Sequence, residues 1–404
     1  MKKLLLLCLL VSVGFAKSYI ISPLPLPKQE ILNLETEPCN KKCLLSLYEQ
    51  EQYFSFVARF EDEEDSDLRA KLALSLQNLA ILDIPTSPKN TTAKVKLGLL
   101  MPKKVIRHYF YTSIDTILSY LMARGGDFSF EVFNTDTEDT QAIESAYKRA
   151  IEAKSDFIIG VFTTNGAKEL ASNIKITTPI YLPTINIHQI GDIKAPKNLY
   201  FGGVDYESQI ELLLHLSEDE KIVAYNDKSP TGQYLGELLR TKSPNVIFLQ
   251  EVESATAKRF MNVLASQEQY LQDSVVIFNT QGARTGLMMS QIALSKAKPK
   301  KMLSTQVSYD FKIFDLVQPE DRKEFYVVSM IGALNPKIVE YTALLGRDLK
   351  YDWVNYSTAV GVELLLGAQI EERERYFKEF FLDNQVSYTN RVYKISGKSF
   401  YEYH

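Results

Sequence analysis

Lys96-Leu97-Gly98-Leu99-Leu100-Met101-Pro102 is the first of a series of short apolar runs separated by stretches with helical spacing. Phe130-Glu131-Val132-Phe133-Asn134-Thr135-Asp136 and Ser155-Asp156-Phe157-Ile158-Ile159-Gly160-Val161 continue it. Apolar runs of this length bounded by turn residues read as strands, and their alternation with helices is the pattern of a mostly parallel α/β sheet. The expected strands are 95–101, 128–134, 156–162 and 179–186, with helices at 109–123, 140–153 and 166–173. A second series follows, with strands at 221–226, 246–252, 274–279 and 302–307 and helices at 232–240, 257–265 and 283–297. One open sheet of ordinary size does not hold so many strands, so two tandem Rossmann-like lobes are expected, the first mainly 94–205 and the second mainly 206–310. Residues 311–404 carry two strong helices, 335–345 and 353–367, and a β-hairpin over 386–403 that turns at Ser396-Gly397-Lys398. This last segment is expected to cross between the lobes and complete both sheets.

Ahead of residue 94 the chain has a different character. Lys2 and Lys3 precede an apolar run over 4–15, and Gly14-Phe15-Ala16 supplies small residues where a signal peptidase cuts, so residues 1–16 read as a cleaved export signal. The run is too short to span a bilayer and nothing else approaches a spanning length. The mature chain is therefore expected to be periplasmic, with no transmembrane segment. Residues 17–37, spaced by Pro23, Pro25 and Pro27, read as an extended tether, 38–84 as a helical hairpin around the acidic stretch 61–67, and 85–94 as a linker. Once the signal is removed with Cys8, Cys39 and Cys43 are the cysteines left. In an exported protein such a pair suggests a disulfide, with free thiols as the alternative. An i, i+4 pair within a regular helix is poorly placed for bridging, so the bond would form at a frayed turn after Pro38.

The 404 residues are 45% apolar and 24% charged, a globular composition, and 46 basic against 50 acidic residues give no basic face for nucleic acid. There is no Gly-x-Ser-x-Gly elbow, no Walker loop and no HExxH motif, and His108, His188, His215 and His404 are scattered. Neither catalysis, a metal nor a cofactor is expected. Tyrosine is frequent, at 23 residues, and clusters at 109–111 and 400–403, which suits contact surfaces.

In open α/β sheets a ligand sits beyond the carboxyl ends of the strands, which selects the residues that follow them. From the first lobe these are Thr163, Thr164 and Asn165, then Thr184, Asn186 and His188; from the second, Asp227, Ser229 and Tyr234, then Asn279, Thr280 and Gln281. Hydroxyls and helix amides after the third strand suit a carboxylate, and Asp227 an ammonium. The same residue types serve equally as helix caps.

The runs quoted above, together with Val223-Ala224-Tyr225-Asn226-Asp227 and the final helix 353–367, resemble the type I periplasmic binding proteins over residues 94–404. The helical segment in front and the export signal are closest in layout to penicillin-binding-protein activators of the LpoA type. The resemblance implies a two-lobed protein that binds and does not catalyse. Family members that take amino acids usually carry Gly-Pro and then Ser near the end of the third strand, and a small Gly/Ser-rich loop after the first. Gly160-Val161-Phe162-Thr163-Thr164 and Met101-Pro102-Lys103-Lys104 stand here instead. These departures put a regulatory module acting on an envelope protein partner first. A solute-binding subunit of an ABC transporter, taking an amino acid or other small polar ligand between the lobes, comes second, and a scaffold of an envelope assembly third.

Overall fold

The computed structural model describes residues 39–60, 65–79, 95–125, 128–367 and 374–404. Residues 1–16, 17–37 and 85–94, expected from the sequence as an export signal, a tether and a linker, lie outside the described residues. The chain divides into two compact units, 1–85 and 86–404.

In the first unit, three helices stand where a two-armed hairpin is expected: Lys41–Glu49, Tyr53–Arg59 and Ser66–Asn78. The first arm breaks at Glu51, whose φ of 58° lies in the left-handed region that a continuing helix does not tolerate. Each helix sends one residue to the centre, Leu44, Phe56 and Leu68, and Tyr48 meets Phe56 edge-on with centroids 5.6 Å apart. Asp65 caps the third helix, accepting the N–H groups of Asp67 and Leu68, and pairs with Lys41, which lowers its pKa. Cys39 precedes the N-cap Asn40 and is bonded to Cys43 across a Cα separation of 5.3 Å. Because Cys39 lies outside the helix, its backbone is free of the geometry that would separate two helical cysteines.

The second unit contains two sheets. The first is built from β1 (Val95–Met101), β2 (Phe128–Asn134), β3 (Phe157–Gly160), β4 (Ile180–Leu182) and β5 (Leu199–Phe201). The second uses β6 (Ile222–Asp227), β7 (Val246–Val252), β8 (Val275–Asn279), β9 (Lys301–Ser304) and β10 (Phe325–Ser329). The tail adds β11 (Phe380–Leu382) and β12 (Gln385–Ser387) to the first sheet, and β13 (Arg391–Ser396) and β14 (Ser399–Glu402) to the second. The orders are β11-β12-β5-β4-β3-β1-β2 and β14-β13-β10-β9-β8-β6-β7. The two five-stranded cores are parallel and identically wound, each reversing direction beside its first strand. Every residue of β6, β8 and β10 is buried, so these strands are covered on both faces and read as continuous apolar runs.

Several elements depart from the sequence expectation. β4 ends at Leu182 because Thr184 and Asn186 leave the sheet to start the turn Ile187–Ile190. The helix expected over 257–265 is two short pieces, Ser254–Lys258 and Met261–Leu264. β5, β10, β11 and the helix Tyr206–Leu216 are additional.

The chain passes between the sheets three times: after β5, after β10, and between β12 and β13. Two buried amides join these crossings. Gln209 donates to Asn390 Oδ1 (3.0 Å) and accepts the N–H of Gln306 (2.9 Å), while Gln306 Oε1 accepts the N–H of Met330 (2.8 Å). After the second crossing, the helices Pro336–Leu344 and Trp353–Leu365 pack on His108–Arg124. Eleven of the thirteen residues of Trp353–Leu365 are buried, and its small Ser357 and Gly361 admit the ring of Tyr181, whose hydroxyl lies 2.8 Å from Ser357 Oγ. A Cβ on Gly361 would fall 1.9 Å from a Tyr181 ring atom. Gly361→Ala is therefore expected to destabilise the second unit by about 1–3 kcal/mol or more, read as a fall in the urea midpoint without a change in slope.

Candidate functional site

The carboxyl ends of both sheets open onto two cavities between the lobes, of about 480 and 350 Å³. Tyr206 and Thr231 line both. Tyr206 begins the helix that follows the first crossing, and burial pushes its phenol well above the ordinary value, so it presents a neutral hydroxyl.

The structure divides the residues selected from the sequence. Thr164, His188 and Tyr234 line the smaller cavity, beside Gln189. Asp227, Ser229 and Gln281 line the larger one. Asp227 is 2% exposed: its Oδ1 accepts the N–H and hydroxyl of Ser229, and its Oδ2 accepts the N–H of Gln281 and pairs with Arg284, both at 3.3 Å. It thus ties together the ends of β6 and β8, and Gly232 packs against it where a Cβ would fall 2.3 Å from its carbonyl oxygen. Ser229 caps the next helix by accepting the Gly232 N–H at 3.1 Å.

Thr163, Asn165, Thr184, Asn186, Asn279 and Thr280 are not among the lining residues. Thr163 is occupied by the chain's own anion. Glu138 accepts its N–H at 2.7 Å and its hydroxyl as well, filling the start of helix Thr164–Asn173 where a ligand carboxylate was expected. Asn165 is exposed. Thr184 donates to the Phe162 carbonyl (2.9 Å), Asn186 accepts the His188 N–H (3.0 Å), and buried Asn279 donates to Asn226 (2.7 Å). Thr184 and Asn186 thus hold backbone, while Asn279 holds the side chain of Asn226.

Most of the larger cavity's wall comes from elsewhere. Tyr309-Asp310-Phe311-Lys312 follows β9, and Tyr351-Asp352-Trp353-Val354 starts the buried helix of the other lobe. Each is a Tyr-Asp-aromatic turn in which the aspartate accepts the N–H two residues on, from Lys312 (3.0 Å) and from Val354 (2.9 Å). Tyr109, Gln306 and Asp348 complete the contrast with the strand-end list. The repeated Tyr-Asp-aromatic triplet, with the single tryptophan of the chain in one copy, is the sequence signal that could have found this wall.

With the two sheets and the cleft in place, comparison with solved structures shows which proteins share them. The branched-chain amino acid transporter substrate-binding protein LivJ of Streptococcus pneumoniae, in complex with isoleucine, is 13% identical with a TM-score of 0.54, covering 76% of this chain and 97% of that one. A branched-chain amino acid ABC transporter protein of Thermus thermophilus with bound valine is 14% identical, with a TM-score of 0.56 over 77% and 96% of the two chains. A solute-binding protein of an R. palustris ABC transporter in complex with benzoate is 13% identical, with a TM-score of 0.54 over 77% and 95%. The chain has the type I periplasmic-binding-protein fold. No family model and no curated protein matches the sequence. Among the described residues, no helix is long and apolar enough to cross a membrane.

Within this fold, residues that build the cleft and residues that merely line it should separate on substitution. Asp227→Ala, which strands Arg284 and three donors, is expected to cost about 2–4 kcal/mol of stability. Thr164→Ala and Tyr234→Phe should stay within about 0.5 kcal/mol, all three read by chemical denaturation.

Proposed function

We propose that this chain is a periplasmic solute-binding protein, the subunit that captures a small molecule between two lobes and presents it to a transporter. One observation carries the reading. The cavity of about 480 Å³ sits at the carboxyl ends, where the strand order of the second sheet reverses, and takes its wall from both lobes. That volume suits a small organic molecule. Two of the matched structures named above are substrate- or solute-binding proteins and the third holds bound valine, which supports placing solute binding ahead of the regulatory role that the sequence put first. The reading assigns the chain binding and no chemistry.

A regulatory role through an envelope protein partner, as in the penicillin-binding-protein activators, is favoured by one feature: a separate amino-terminal unit with its own core around Leu44, Phe56 and Leu68 and its own disulfide.

Thermal unfolding of the full chain against amino acids, aromatic acids, amines and peptidoglycan fragments distinguishes the two. A ligand at one hundred times its Kd stabilises by about 2.7 kcal/mol, a shift of several degrees in the unfolding temperature. A shift with one compound, and a fall in the scattering radius as the lobes close, is the expected result. Flat curves throughout, with crosslinking in the envelope capturing one protein reproducibly, would replace solute binding by the regulatory reading.

A further inference from the structure

We propose that the larger cavity selects an organic cation, a protonated or quaternary amine, over the zwitterions and carboxylates held by the matched structures. The inference rests on the solute-binding reading and names the chemical class of the solute.

The first ground is charge. Four carboxylates line the cavity, Asp227, Asp310, Asp348 and Asp352, and Lys312 is the one cation among the described lining residues. Arg284 offsets Asp227 and Lys312 offsets Asp310, at 3.3 and 3.4 Å. Asp348 accepts the N–H groups of Lys350 (2.7 Å) and Tyr351 (3.1 Å), and these neutral partners leave its formal charge in place. Its neighbour Arg347 is taken up by Asp115 at 3.0 Å. Burial raises the pKa of the lining Tyr309 and Tyr109, and Asp348 and Asp352 respectively add to it in the same direction.

The second ground is the wall itself. The rings of Tyr109, Tyr206, Tyr309 and Trp353 line the same space, and an aromatic face beside carboxylates attracts a cation while excluding the water that would solvate it. The third is a buried donor. Gln306 is 2% exposed, its carbonyl is held by the Met330 N–H, and its NH₂ group has no hydrogen-bond partner among the described residues. A hydroxyl or carbonyl on the ligand would satisfy it. The start of helix Thr164–Asn173, the place in the first lobe suited to a carboxylate, is meanwhile closed by Glu138.

Calorimetric titration of the full chain tests this with two matched pairs, choline against neohexyl alcohol and tyramine against para-propylphenol, and with isoleucine and benzoate as zwitterionic and anionic arms. At least one cation is expected to bind more than about tenfold tighter than its uncharged analogue. Asp348→Asn is expected to cut that ratio about three- to tenfold, because it removes a charge while its amide oxygen can still accept both N–H bonds. A loss of affinity for charged and neutral compounds alike would make Asp348 a structural residue and overturn its assignment. Equal binding of cation and analogue, or binding of isoleucine or benzoate alone, would overturn the cation inference and leave solute binding standing. No binding by any of the six compounds at about millimolar concentration would overturn both.

Discussion

Two buried amide side chains make one site from two lobes. Gln209 lies just after the first crossing and bonds to Asn390 in the third, and through the backbone of Gln306 it reaches a second amide that holds Met330 in the second. Each bond replaces one to water with one to protein, and breaking any of them would leave a polar group stranded in the interior, where it costs far more than the bond itself contributes. The relay therefore fixes the three crossings relative to one another. The position of every residue in the cleft follows from that. The same Gln306 reaches the cavity wall, so the element that joins the lobes is also one that a ligand would touch.

A second buried polar centre secures the returning chain. Glu363, 1% exposed, sits among Arg124 (3.0 Å), Arg375 (3.4 Å), the Tyr120 hydroxyl and the N–H groups of Tyr376 and Phe377. A carboxylate so far from water is tolerable only because each oxygen has charged and polar partners. Its position near the end of the buried helix anchors the segment that leads into β11, and so lets a three-residue strand far along the chain complete the first sheet. The cleft is held by polar interactions at its hinge and by apolar packing behind it. In the second sheet β6, β8 and β10 are wholly buried, which leaves the carboxyl ends and their loops as the adaptable surface.

Glu138 shows how a fold can keep its architecture and change its chemistry. Helix amides at the end of a parallel strand are a ready site for an anion, and here a glutamate four residues past Asn134 fills it, with Gly166 giving it room. Much of the larger cavity's wall comes instead from the loop after β9 and from the segment that follows the second crossing, and these stretches are aromatic and acidic. The sheets that define the fold and the loops that line the cavity are thus different parts of the molecule.

Local sequence alone set the bounds of β1, β2 and β7, whose apolar runs end at turn residues, whereas β10, with all five residues buried, was not marked by it. It also marked the strand ends as places for polar loops. It could not separate Asp227, locked between two strand ends and an arginine, from a residue waiting for a ligand, since caps and ligand contacts use the same side chains. Nor did it reveal that Tyr309-Asp310-Phe311 and Tyr351-Asp352-Trp353 share one cavity, or that β5 and β12 pair across almost two hundred residues. Those are consequences of three crossings tied at a buried hinge. Such long-range pairings leave no periodic trace, because each partner satisfies its local pattern equally well alone and only the closed chain brings them together.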